Sequence, residues 1–263
     1  MLVLIKGAGD IASGIALRLW RSGFQVVMTE IPQPTVIRRT VAFAEAVYEG
    51  ETEVEGVKAC LAKSPQAAKE LLEGGSIPVL VDPQAECRRE LNPQVLVDAI
   101  LAKRNLGTYR GQAPLVIGCG PGFCAGEDVD LVIETMRGHY LGRVIRQGCA
   151  LPNTGVPGPI QGYAEERVLR AVADGPFEGV RQIGDLVQEG EVVARVNGQA
   201  VRAKVSGVLR GLLRSGLPVH QGMKVGDVDP RGKVEYCFTV SDKALAIGGG
   251  VLEGILGYFA NKR

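Results

Sequence analysis

Two glycine-rich turns and the charged residues around them hold most of the chemistry this sequence offers. The first is Lys6-Gly7-Ala8-Gly9-Asp10-Ile11-Ala12-Ser13-Gly14, between an apolar run and an amphipathic stretch. Gly7 and Gly9 lack a Cβ, so backbone N–H groups of the turn can approach a pyrophosphate, and a helix opening at Asp10 adds about half a positive charge. Glu30, 21 positions past Gly9, stands where dinucleotide folds place a carboxylate for a ribose hydroxyl. The spacing is G-x-G-x-x-x-x-G rather than G-x-G-x-x-G, so Gly14, the residue for close helix packing, comes two positions late. The same residues also read as a plain tight turn on a Rossmann-like scaffold, with Glu30 a solvated strand-end carboxylate.

The second turn is Gly118-Cys119-Gly120-Pro121-Gly122-Phe123-Cys124-Ala125-Gly126, again after an apolar run. Open α/β sheets bind ligands outside the carboxyl ends of their strands, so Gly118, Gly120 and Gly122 are expected to line the same cleft as the first turn. Cys119 and Cys124 fall near an expected helix start, a position that lowers thiol pKa and favours a nucleophile; a buried, inert thiol is the alternative. Arg38 and Arg39 follow a proline-rich turn and suit a second anionic group, or else are solvated surface cations. His139, between glycines and arginines, is a candidate site residue for imidazole acid/base work; His220 lies in a later turn.

These groups need elements to hold them. Met1 to Ile5 reads as a buried strand, Ile11, Ile15 and Leu19 as one face of a helix ended by Ser22-Gly23, and Val26 to Thr29 as a second strand. Ala59 to Glu73 reads as a helix closed by Gly74-Gly75. Ile77 to Val81 and Pro114 to Ile117 read as strands, Val129 to Thr135 as a helix, and Val234 to Val240 as a strand. Strands alternating with helices give an α/β class with a doubly wound parallel sheet.

The 263 residues carry a formal charge of +1 with acidic and basic residues interspersed, so neither nucleic acid nor a membrane surface is an expected partner. No apolar run reaches about 18 residues and the apolar start is too short for a signal peptide, which makes a cytoplasmic location the expectation. Cys60, Cys87, Cys119, Cys124, Cys149 and Cys237 form no C-x-x-C pair, so no zinc site is expected, and in a reducing compartment most should be free thiols.

Gly184-x-x-Val187-x-x-Gly190-x-x-Val193-x-x-Val196 recurs as Gly216-x-x-Val219-x-x-Gly222-x-x-Val225-x-x-Val228, offset by 32 throughout. Two copies fit a small all-β unit with internal two-fold symmetry, and Asn197-Gly198 supplies a type I′ hairpin turn. The pattern resembles the biotinyl/lipoyl barrel-sandwich, but its tip reads Asn197-Gly198-Gln199 without the modified lysine, so neither biotin nor lipoate is expected. Gly248-Gly249-Gly250 reads as the start of a last helix, Val251 to Phe259, either a third anion site or a hinge. The expected domains are 1–160, Rossmann-like; 161–240, barrel-sandwich; and 241–263, a segment returning to the first.

Ile5-Lys6-Gly7-Ala8-Gly9-Asp10, Met28-Thr29-Glu30, Ile37-Arg38-Arg39-Thr40, Gly120-Pro121-Gly122-Phe123, Arg137-Gly138-His139, Pro152-Asn153-Thr154-Gly155 and Ser241-Asp242-Lys243-Ala244 together resemble the YqeB-type accessory proteins of the selenium-dependent molybdenum hydroxylase system. Cys119 and Cys124 depart from the residues common there. The resemblance implies a maturation factor that binds a molybdopterin-type dinucleotide or other nucleotide, with molybdenum hydroxylase subunits as partners and possible self-association. Catalysis is unassigned. The alternatives are an NAD(P)-dependent oxidoreductase with His139 as proton donor, and a hydroxylase-docking protein without a small-molecule ligand.

Overall fold

The computed structural model describes residues 1–260, and the last three residues of the expected 241–263 segment lie outside them. Two compact units emerge. The first holds Met1–Pro34, Ala42–Thr154 and the chain from Val240 on; the second holds Thr35–Val41 and Gly155–Thr239.

The first unit contains β1 (Leu2–Lys6), α1 (Asp10–Arg21), β2 (Gln25–Glu30), α2 (Ala46–Glu49), β3 (Glu51–Val54), β4 (Val57–Ala62), α3 (Pro65–Glu73) and β5 (Ile77–Val81). It continues with α4 (Arg88–Leu91), β6 (Val95–Asp98), β7 (Leu115–Cys119), β8 (Cys124–Ala125), β9 (Leu131–Ile133), β10 (Val144–Ile145), β11 (Gly148–Cys149) and α5 (Asp242–Ala260). Nine strands form one sheet in the order β10-β9-β7-β6-β1-β2-β5-β4-β3. All neighbours are parallel except the edge pairs β10/β9 and β3/β4. Both faces of the central strands are buried, which is why their sequences are continuously apolar. Leu4, Val27, Leu80, Leu96 and Val116 share one core with Ala68 of α3, while Ile117 and Leu131 reach Gly254 of α5. The chain runs from β1 to β2 on one side and later places β6 on the other, so β1 and β6 meet at a topological switch point.

Several elements differ from the sequence reading. The stretch read as one helix from Ala59 is edge-side strand β4 followed by α3, which starts at Ser64-Pro65: the Ser64 hydroxyl caps the Ala67 N–H and proline occupies the first turn. Val129 to Thr135 is not a helix; it contains β9, parallel to β7. Val234 to Val240 is not a strand but opens with a short 3₁₀ turn, Val234–Cys237. Gly248-Gly249-Gly250 lies inside α5 rather than at its start. α5 is long and apolar enough in composition to cross a membrane, yet it lies along α1 and over β7, β9 and β10.

The second unit contains β12 (Val168–Arg170), β13 (Gly175–Gly179), β14 (Leu186–Val187), β15 (Val192–Val196), β16 (Gln199–Arg202), β17 (Gly207–Leu212), β18 (Pro218–Val219) and β19 (Lys224–Asp229). They make two four-stranded antiparallel sheets, β12-β19-β17-β14 and β16-β15-β13-β18. Advancing the first four strands by one repeat turns β12, β13, β14 and β15 into β16, β17, β18 and β19, and exchanging the halves converts one strand order into the other. The two-fold pattern in the sequence is therefore a two-fold pattern of pairing. Asn197 (φ 48°) and Gly198 (φ 77°) form the left-handed turn between β15 and β16. Arg38 donates to the Tyr236 and Thr239 carbonyls and Leu212 N–H donates to the Ile37 carbonyl, which ties Thr35–Val41 into this unit.

Candidate functional site at the carboxyl edge of the sheet

At the switch point, Lys6 ends β1 with its side chain fully inside the protein, 1% exposed. A lysine there needs a partner. Its Nζ donates to Thr108 Oγ1 at 2.8 Å, and that hydroxyl donates to Asp98 Oδ2 at 2.6 Å, at the end of β6. Lys6 Nζ also lies 3.7 Å from Asp98 Oδ2. The chain after β6 thus folds back over the point where a doubly wound sheet usually receives its ligand. A Cβ at Gly7 would sit 3.1 Å from the Ala99 carbonyl oxygen.

The first glycine turn is largely filled from within. Gly7 N–H donates to the Thr29 carbonyl at 2.8 Å and Ala8 N–H to Glu30 Oε2 at 2.9 Å, while Glu30 Oε1 accepts the Ile31 N–H at 2.8 Å. Glu30 therefore occupies the anion position of the turn, and burial pushes its carboxyl above the usual range despite these two bonds. The expectation that the Gly7 and Ala8 amides grip a diphosphate is corrected accordingly. The late Gly14 has its own reason: a Cβ there would lie 2.5 Å from Ala244 Cβ, so it permits α1 and α5 to touch. Gly248 does the same against Ile15 and Arg18, and Gly250 against the Gly142 carbonyl, which removes the glycine triplet as an anion site.

The second turn joins the first in flanking the chain that follows β6, since a Cβ at Gly122 would lie 2.6 Å from Arg104 Cα. Gly118 and Gly120 accommodate Phe123 and the Thr135 side chain, and Gly120 N–H donates to the Ile133 carbonyl. These three glycines thus serve close packing. Cys119 is buried, with its thiol pushed up by burial and by Asp98, and Cys124 is disulfide-bonded to Cys149. Neither is an activated thiolate: burial and the Asp98 charge keep the Cys119 thiol protonated, and the Cys124 sulfur is tied up in the disulfide.

What the carboxyl edge does expose is a charged group assembled from distant parts of the chain. Lys243, in the first turn of α5, is half-buried; desolvation and the Arg137 charge lower its pKa, against the opposing pull of Asp10, Glu134 and Asp242. Arg137 holds Asp242 by two bonds of 2.8 and 3.1 Å. Buried Glu134 accepts the N–H groups of Thr135, Met136 and Leu151, which sets the loop after β9. Asp10 and Lys243 lie in the first turns of α1 and α5, which pack through Gly14 and Ala244. Nothing in the sequence singles out Glu134, Arg137 or Lys243 as ligand residues; Arg137 and Lys243 stand within motifs of the resemblance, and Arg137 also flanks His139.

The other candidates lie elsewhere. His139 is exposed, its ring edge-on to Tyr140 at 5.0 Å. Arg38 and Arg39 belong to the second unit, where Arg39 Nε donates to the Leu212 carbonyl; they are neither solvated cations nor part of the glycine turns. A cavity of about 620 Å3 opens at the carboxyl ends of β4 and β5, lined by Leu61, Lys63, Ser64, Asp82, Cys87 and Glu90 among others, and none of the candidate ligand residues lines it.

No protein-family model matches the chain. Among solved structures, an aspartoacylase family protein from Mesorhizobium loti is 11% identical, with 86% of this chain and 83% of that one covered and a TM-score of 0.27. The ectoine utilization protein EutE (DoeB) from Ruegeria pomeroyi, in its product-bound structure, is 13% identical, with 86% and 57% covered and a TM-score of 0.24. Likenesses at this level carry no argument about activity. Over 255 residues, 97% of the chain, the sequence is 56% identical to the uncharacterized protein YqeB of Escherichia coli (strain K12), of which the match covers 47%. The chain is thus a close homologue of that protein and spans about half its length.

Proposed function

We propose that this chain is a binding module for a small anionic, nucleotide-type ligand, acting in the maturation of molybdenum hydroxylases. The observation that carries the binding reading is Lys243, a half-buried cation beside the first turns of two helices at the carboxyl edge of a doubly wound sheet. The maturation role rests on the resemblance of the sequence motifs, and the ligand class it suggests is a molybdopterin-type dinucleotide. Lys243 would meet the anionic group, with Arg137 positioning the start of α5 and the amides from Gly9 onward replacing those that Glu30 occupies. Hydroxylase subunits would be the partners and the cytoplasm the location.

Calorimetric titration of molybdopterin cytosine dinucleotide and of NAD⁺ into the purified chain tests this. Saturable binding of the first, weakened at least about tenfold by Lys243→Met (about 1.4 kcal/mol), supports the reading. Binding of NAD⁺ alone would favour the oxidoreductase, and no response to either, with a hydroxylase subunit co-purifying, the docking protein.

A further inference from the structure

We propose that Cys124 and Cys149 form a thiol–disulfide exchange site whose substrate is a dithiol, and that its redox state governs how the 146–151 segment is held. The bond joins β8, inside the second glycine-rich turn, to β11. Only two residue pairs make up that sheet, Gly148 with Ala125 and Cys149 with Cys124, too short a ladder to persist by itself. Val144 and Ile145 are held by pairing with β9, whereas residues 146–151 are fastened, besides the covalent link and the β8/β11 ladder, by the Leu151 N–H donating to Glu134 Oε2.

Access separates this pair from the buried cysteines. Gly148 and Cys149 are exposed, so an incoming thiolate reaches the Cys149 sulfur. Cys87, Cys119 and Cys237 are buried, with thiols pushed up by burial, and stay protonated. They offer no competing partner for exchange, and Cys60, a free, half-buried thiol in β4, is one adduct that reduction leaves unchanged. A disulfide in a protein of the reducing cytoplasm is as a rule transient, catalytic or sensing, so under the proposed location this bond is one that opens and closes.

The step balances as follows. One thiolate of the dithiol attacks Sγ of Cys149, the Cys124–Cys149 bond breaks, and the Cys124 sulfur leaves as a thiolate and takes a proton. The second thiol of the substrate, deprotonated, attacks its own sulfur in the mixed disulfide and expels Cys149, which is protonated in turn. The protein disulfide gains two electrons and two protons, and the dithiol is oxidised to a disulfide. The bond closes a loop with a sequence separation of 25 that contains Glu134, Arg137 and His139. Opening it slackens the strand next to Glu134. This coupling to ligand affinity, unlike the exchange chemistry, rests on the carboxyl-edge reading above.

Native protein is treated with graded dithiothreitol, alkylated, and analysed by peptide mass spectrometry together with hydrogen exchange. Expected is a gain of two adducts, on Cys124 and Cys149 together, with the buried cysteines unmodified, circular dichroism unchanged and severalfold faster exchange over 146–151. A pair that stays oxidised until the buried cysteines also react, or that is found as free thiols which oxidised dithiothreitol does not close, overturns the proposal. These readouts need no ligand, so they stand whatever the titrations give. Equal ligand affinity of the oxidised protein and the Cys124→Ser/Cys149→Ser variant would overturn the coupling alone.

Discussion

Two pairs of glycines, one from each unit, do different work. In the first, Gly14 and Gly250 make room: a Cβ would run into Ala244 or the Gly142 carbonyl, contributed by chain more than a hundred positions away. In the second, Gly190 (φ 83°) and Gly222 (φ 82°) have nothing within 4 Å of a Cβ and serve only a left-handed turn, at equivalent places in two repeats. Both kinds occur in both units, as close-packed Gly226 of the second and open Gly50 of the first show, but only in the second does an open turn recur with the repeat. A glycine-rich stretch is thus no sign of a ligand until the space in front of it is known.

Removing remote fit should hurt most. Lys6→Met leaves Asp98 buried with Thr108 as its main neighbour, and a loss of about 3–5 kcal/mol in urea unfolding is expected. Gly14→Ala should cost about 1–3 kcal/mol, and adding Ala244→Gly should recover most of it; a double-mutant cycle without coupling would break the comparison. Gly190→Ala and Gly222→Ala should each cost about 1–2 kcal/mol and agree closely with one another, since only backbone conformation is at stake. The smallest effect is electrostatic. Because Lys243 binds its proton less tightly folded than unfolded, stability should rise with pH in the window below 10.5, where the unfolded side chain still holds the proton. Lys243→Met should flatten that rise in pH-dependent melting.

The same contrast explains what could be read in advance. β1, α1, β2 and β5 were legible because each is a short, strongly patterned run; Ile77–Val81 has the limits expected of it. The offset of 32 announced the pairing symmetry of the second unit because every copy carries its own turn. β4 was hidden because its alanines and leucine also suit a helix, although the Ser64-Pro65 start of α3 was a usable signal. The candidate site was legible in the turn after β1, the start of α1 and the end of β2, at Gly7, Asp10 and Glu30, but not in its function: that Glu30 fills the turn follows from sheet register. Lys6 with Thr108, and Arg137 with Asp242, are over a hundred positions apart and meet only once topology is fixed.

The return of α5 also bears on how the molecule is made. α1 is synthesised well before α5, the helix it packs along, with Arg18 donating to the Leu245 carbonyl 227 positions later. Thr35–Val41 likewise waits for Leu212 and Tyr236. During synthesis, therefore, neither unit can close in order of appearance, and the part of the sheet that α5 covers, over β7, β9 and β10, stays open until that helix arrives, the interval in which a chaperone has the most to protect.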